Sequence, residues 1–226
     1  MNKDNYRYFE LLVGLFVAIL LISNIASTKI VQMWRFTFDG GTILFPFAYI
    51  LGNILTEVYG YNKARRVIWI GFLCALLMSL NLMLIGFLRP APGWDLQQAY
   101  MAILGQTPRI VTASLIAYFM GAFSNSYVLA RLKILTSGKW LFARTIGSTI
   151  IGQAIDTAIF VLIAFSGLYS WALIGSIIIS NYLFKIGVEV LFTPVIYKAA
   201  HLLKKKEKVD FYDYKTNFNP FLFWRK

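Results

Sequence analysis

The chain has one cysteine, Cys74, and one histidine, His201, and little charge: Asp, Glu, Lys and Arg are 14% of its 226 residues. A lone cysteine excludes an intrachain disulfide and leaves the redox compartment unread. One distant histidine cannot build a metal cluster, and no nucleophile sits in sequence with a base, so neither a metal cofactor nor an enzyme is expected. No glycine-rich phosphate loop or fixed-length repeat occurs. Soluble domains are roughly 25% charged and about 45–50% apolar. Here 58% is apolar, which makes the chain an integral membrane protein.

Basic residues outnumber acidic ones, 22 to 10, for a net charge of +12. In a soluble protein that balance suggests nucleic acid; in an apolar chain it reflects cytoplasmic loops and anionic lipid, and no nucleic-acid partner is expected. Hydropathy and breakers predict an all-α bundle of six transmembrane helices, over about Phe9–Val31, Ile43–Tyr59, Val67–Leu88, Pro108–Leu129, Leu141–Phe165 and Trp171–Leu203. The first run is long and lacks a small-x-small cleavage site, so it reads as a span and not a cleaved leader. "FDGG" at 38–41 reads as turn-like, and "SGLYS" at 166–170 as a tight turn.

Lys63, Arg65 and Arg66 follow the second span, Arg131, Lys133, Lys139 and Arg144 lie between the fourth and fifth, and Lys204, Lys205, Lys206 and Lys208 follow the sixth. Arg35, Arg89 and Arg109 fall on the other side. The positive-inside rule then puts both termini in the cytoplasm, as an even number of spans requires. The chain divides into a transmembrane domain, 1–205, and a basic, aromatic tail, 206–226, which reads as a strip on anionic headgroups.

A charge at mid-helix in hydrocarbon costs about 2.5 to 3.5 kcal/mol on insertion scales, so each polar residue inside a span needs a partner, a cavity or a purpose. Asn53 and Glu57 share a face of the second span, as do Ser148, Gly152 and Asp156 on the fifth and Asn181, Lys185 and Glu189 on the sixth. The fourth offers Ala117, Gly121 and Asn125, and the first offers Asn24 among serines and Thr28. Four-residue steps of small residues also read as close helix packing. Lys185 and Glu189 either neutralise each other along one helix or serve a site. Glu57 either pairs with Arg65 or Arg66 at the interface or belongs to a gate. Asp156 has no cation within a helical turn, so its partner comes from another helix, a ligand or a proton. Such stripes either consume each other or line a chamber, and a chamber would suit a planar ligand rich in donors, with Phe45, Phe47 and Tyr49 as stacking faces.

"FPFAYILGNILTEVYGYNKARRVIWIGF", "GAFSNSYVLARLK" and "RTIGSTIIGQAIDTAIF", followed by Lys185, Glu189 and Pro194, resemble the queuosine precursor transporter family, also called the vitamin uptake transporter family. The resemblance covers nearly the whole chain in order. It implies a six-helix importer of the cell inner membrane for 7-deazaguanines, such as 7-cyano-7-deazaguanine, 7-aminomethyl-7-deazaguanine or queuine, which feed tRNA modification. It also implies a fold similar to the substrate-binding subunits of energy-coupling-factor transporters. Asn53, Ala122 and Gln153 stand where the family pattern has acids, which removes candidate proton carriers or ligand contacts.

On this reading the substrate-binding residues are Asp156, Glu189, Lys185, Asn125, Asn181, Asn53 and Phe45, with Asp156 accepting from the guanine-like edge and Lys185 holding Glu189. Glu57 and Arg144 form a cytoplasmic gate. The alternative is a binding subunit that needs a separate ATP-driven energy-coupling module. The expected partners are a small deazapurine, the lipid bilayer, and either a second copy of the chain or that module.

Overall fold

A computed structural model of the chain describes residues 6–33, 36–105, 108–167, 170–214 and 216–222. The elements run α1 (Phe9–Ala26), β1 (Ile30–Met33), β2 (Phe36–Asp39), a 3₁₀ turn (Gly40–Ile43), α2 (Phe45–Tyr59), α3 (Tyr61–Phe87), α4 (Gln97–Ile103), α5 (Pro108–Leu135), α6 (Leu141–Phe165) and α7 (Trp171–Glu207). Among the described residues the architecture is helical apart from one antiparallel hairpin, in which Ile30 is in register with Asp39 and Val31 with Phe38.

Among the described residues, α1, α3, α5 from Thr112, α6 and α7 are long and apolar enough to cross a membrane. The second expected span is different. Fifteen residues of α2 reach about 22 Å, short of a hydrocarbon core of about 30 Å. Lipid does not set its length, because all of α2 except Phe47 and Leu51 is buried. It packs against α1, α3, α5 and α7.

Local chemistry explains the boundaries. Pro46 sits in the first turn of α2, where its missing N–H is harmless. Gly60, at φ 82°, ends α2 and leads directly into α3. A side chain there meets both the left-handed backbone and the Phe211 ring. Lys63, Arg65 and Arg66, expected in a loop, therefore occupy the first turns of α3. Likewise Arg131 and Lys133 are still on α5, and α7 runs past the expected domain boundary at 205. The first span stops at Ala26, because Ile30–Met33 pairs with Phe36–Asp39 as strand, and Phe38 of "FDGG" lies in β2. The short α4 occupies the stretch read only as polar. The turn expected at 166–170 includes Leu168 and Tyr169, which lie outside the described residues.

α5 and α6 form the most extensive helix pair. They meet through Gly121 and Gly152: a Cβ on Gly152 falls 2.6 Å from Asn125 Cβ and 3.0 Å from the Gly121 carbonyl oxygen. Exposed Leu73, Leu77 and Leu84 of α3 and Leu183, Leu191 and Val195 of α7 form the apolar outer surface.

Gly152→Ala forces α5 from α6 and lowers thermal stability in detergent by about 1–3 kcal/mol. Gly175→Ala in α7, with nothing within 4 Å of its Cβ position, is the control and keeps its melting temperature. Equal melting temperatures for both variants would refute this account of the α5–α6 seam.

Candidate functional site

Three polar layers stack along α2 at one-turn intervals, beside Tyr49, Asn53 and Glu57. In the layer nearest the hairpin, Asp156 of α6 is ion-paired with Lys185 of α7 at 2.7 Å, and Thr157 Oγ1 also accepts from Lys185 at 3.4 Å. The Tyr49 hydroxyl is buried against Asp156. Gly121 of α5 leaves room for both, since a Cβ there meets Tyr49 Oη and Asp156 Cβ. Asp156 and Lys185 border a narrow cavity with about 30 Å3 of room for solvent, lined also by Ser27, Thr42, Phe45, Ser114 and Phe160. Lys185 Nζ lies 5.0 Å from the Phe45 ring centroid. A carboxylate, an ammonium and an aromatic face thus bound one small hollow, a pattern suited to a flat polar ligand.

The middle layer is a directed hydrogen-bond chain. Asn125 Nδ2 donates to Asn53 Oδ1 at 2.7 Å, and Asn53 Nδ2 donates to Glu189 Oε1 at 2.5 Å and to Thr149 Oγ1 at 3.3 Å. Thr149 Oγ1 donates to the same Glu189 oxygen at 3.0 Å. Glu189 Oε2, Asn125 Oδ1 and both amide atoms of Gln153 are buried without a hydrogen-bond partner.

At the basic end, Glu57 takes three cations. Arg144 of α6 donates to both its oxygens at 2.5 and 3.3 Å, Lys204 of α7 donates at 2.5 Å, and Lys133 of α5 lies 3.6 Å away. Lys133 also donates to the Glu57 carbonyl at 2.7 Å. Outside the knot lies a second cavity of about 850 Å3 including its mouth, lined by Glu57, Lys139, Arg144, His201 and Lys204 among others.

Residues 209–214 and 216–222 fold back over this end. Asp210 accepts from Lys133 at 2.6 Å and pairs with Lys204 at 3.0 Å, so it shares two cations with Glu57. Asp213 accepts from the Tyr61 N–H at the start of α3, where a carboxylate complements the helix dipole. Arg65 donates to the carbonyls of Asn217 and Asn219, and Trp69 to that of Pro220. The tail expected on headgroups is thus a strap bound to the protein. Burial raises the Asp210 pKa, but hydrogen bonds from Lys133 and Lys204 outweigh it and hold the carboxyl below its ordinary 3.8. Burial raises the Asp213 carboxyl above that value, with Thr216 and the Tyr61 N–H pulling the other way.

The expected site residues therefore fall into groups. Asp156, Lys185 and Phe45 share the cavity; Asn53, Asn125 and Glu189 share the layer beneath it; Glu57 and Arg144 meet at the basic end. Asn181 is buried one turn before Lys185 and lines neither cavity, with its carbonyl oxygen unpartnered. One expected pairing is overturned, and of the alternatives weighed for Glu57 the pair with Arg65 or Arg66 is excluded. Lys185 holds Asp156 and not Glu189, because Asp156 approaches from the neighbouring helix. Glu57 pairs with Arg144, Lys133 and Lys204 and not with Arg65 or Arg66, because Arg65 serves the strap. Phe47 packs on Phe192 away from the cavity. Thr149, Lys133, Lys204 and Asp210 are functional candidates that spacing alone missed. Lys133 and Lys204 are charges in the last turns of α5 and α7 and Asp210 follows a helix, all of which read as ordinary loop or surface chemistry, while Thr149 is a lone hydroxyl within α6.

Removing one partner of a buried ion pair costs about 3–5 kcal/mol, and replacing both often costs little. Lys185→Met alone therefore lowers thermal stability in detergent sharply, and adding Asp156→Asn restores most of it; additive losses would refute the pairing. For the strap, the depressed Asp210 pKa makes its ionised form the docking form. Its contribution is present above the ordinary aspartate value of 3.8 and lost as pH falls through the lower folded value. Asp213 has the opposite sign: its contribution is present below 3.8 and fades as pH rises through its raised value. At neutral pH, then, Asp210→Asn speeds chymotryptic cleavage within residues 211–222 several-fold while Asp213→Asn does so less. The reverse order would refute the assignment.

Residues 39–199 match a family model described as "Putative vitamin uptake transporter". A "Probable queuosine precursor transporter" of Bacillus subtilis (strain 168) is 30% identical over 199 residues, covering 86% of this chain and 87% of that protein. The "Queuosine precursor transporter" of Escherichia coli (strain K12) is 29% identical over 147 residues, 65% of this chain and 64% of that protein. A "Probable queuosine precursor transporter" of Haemophilus influenzae is 27% identical over 173 residues, 74% of this chain and 70% of that protein. No solved structure matches. With several membrane-crossing helices around a buried polar column, and with a family match over most of its length, the chain is a multi-pass membrane protein that belongs to the vitamin uptake transporter family.

Proposed function

We propose that the chain imports queuosine precursors, 7-deazaguanines with a guanine-like edge, across the inner membrane. The relatives named for that substrate support the class. The observation that carries the reading is the cavity bounded by Asp156, Lys185 and Phe45. Asp156, held by Lys185, accepts two parallel N–H bonds from the ring N1 and the exocyclic amine, and charge-assisted bonds of this kind are roughly twice as strong as neutral ones. Phe45 supplies the face on which the ring stacks. Asn53 and Asn125 brace the floor beneath, and Asn181 braces α7 one turn before Lys185.

Glu57 and Arg144 close the opposite end, together with Lys133 and Lys204. The cations of this end, with the positive-inside rule, support a cytoplasmic position for it and for both termini. α2, surrounded by protein, serves as the sixth crossing element. The cavity then faces outward and the Glu57 knot inward, a geometry for alternating exposure.

The test is binding of guanine, 7-cyano-7-deazaguanine, 7-aminomethyl-7-deazaguanine and queuine to the purified protein, and their uptake into liposomes without ATP or partner proteins. Losing hydrogen bonds to a charged group costs about 1.5–3 kcal/mol each, so Asp156→Asn weakens binding at least tenfold. Unchanged affinity in that variant would reject edge recognition, and uptake only with an added ATP-driven module would make the chain a binding subunit.

A further inference from the structure

The middle layer holds a charge problem that no neighbour solves. Glu189 is fully buried, and no cation lies within ion-pair distance of it among the described residues. Asp156 has Lys185, and Glu57 has three cations. Both donors that reach Glu189, from Asn53 and Thr149, go to Oε1, and Oε2 has no partner. Asn53 spends its two N–H donors on Glu189 Oε1 and Thr149 Oγ1, and Asn125 donates to Asn53, so neither amide reaches Oε2. The titratable and charged groups around it are Tyr49 of α2 and the Asp156–Lys185 pair of α6 and α7, which is already neutral as a pair. α5 presents Asn125, which is uncharged.

An isolated carboxylate in a dry layer is neutralised far more cheaply than it is buried charged. A proton on Oε2 does this without disturbing either bond to Oε1. The way in is polar as well. Gln153 lies one turn from Thr149 and less than one turn from Asp156 on the same face of α6, and both of its amide atoms are unpartnered. On α6 it stands between Asp156, which borders the cavity, and Thr149, which donates to Glu189. On the other side, Asn53 connects Glu189 to α2 one turn from Glu57.

We propose that Glu189 is the coupling residue of transport: it takes one proton from water through the substrate cavity, crosses the closed state neutral, and gives that proton to water when the Glu57 end opens. Each inward passage of substrate carries one proton with it, and the empty carrier returns with Glu189 ionised, the costly step of the cycle. The inference rests on the transport reading above. The substrate occupies the cavity next to this layer, and a filled cavity with a neutral Glu189 is the state that crosses. By linkage, substrate binding and protonation then favour each other equally.

The test uses the full chain in liposomes with labelled 7-cyano-7-deazaguanine. The wild type concentrates substrate when the outside is acidic, a protonophore abolishes this, and an internal pH dye reports acidification on adding substrate. Glu189→Gln, which keeps an acceptor for Asn53 and Thr149 and stays neutral, loses pH-driven accumulation tenfold or more while still exchanging labelled for unlabelled substrate. Exchange also shows that the variant is folded. Retained pH-driven accumulation in Glu189→Gln overturns the proposal. So does wild-type accumulation that follows a sodium gradient or neither gradient, with exchange intact; these leave the substrate reading standing. Failure of the wild type to exchange any deazapurine overturns both.

Discussion

A carboxylate taken out of water has to be answered by something, and Glu57 is answered by three helices. Arg144, Lys133 and Lys204 reach it from α6, α5 and α7, and Asp210 of the strap balances two of those cations from outside. In low dielectric this knot joins α2 to the rest of the bundle at one end. Its strength comes from geometry: the Arg144 fork is bidentate, and its spare donor sites bind the carbonyls of Gly138 and Lys139.

The rest of the polar column follows from α2 being enclosed. A helix touching lipid on one side keeps its polar residues on the other. α2 touches lipid almost nowhere, so Tyr49, Asn53 and Glu57 each face protein. Each meets a different chemistry: a neutral ion pair, an amide chain ending on a lone carboxylate, and a cation-rich knot. Asn53 shows why an amide suits the middle position. It accepts from Asn125 and donates to Glu189 and Thr149, whereas the acid expected there by resemblance would set a second carboxylate against Glu189 unless it carried a proton.

Much of this was legible before any coordinates. The apolar fraction and run lengths predicted a membrane bundle, and α6 spans the very residues that hydropathy indicated, because its ends are marked by loops. Asp156, with no cation on its own helix, had to find a partner elsewhere, and it did. The hairpin was hidden because Ile30 to Met33 continues an apolar run without a break. The starts and ends of α3, α5 and α7 were hidden because basic residues on a helix end look the same in sequence as basic residues in a loop.

Sequence by itself determined the class of the protein, the charge asymmetry between the two ends and the spacing that puts polar residues on shared helix faces. All of these depend on hydrophobic period and composition, which are properties of local sequence. The tertiary structure alone decided which charge meets which: Lys185 with Asp156 and not Glu189, Glu57 with cations from three other helices, and the tail with the protein. Pairing depends on the approach and rotation of helices distant in sequence, set here by Gly121 against Gly152 and by the enclosure of α2. No single helix carries that information.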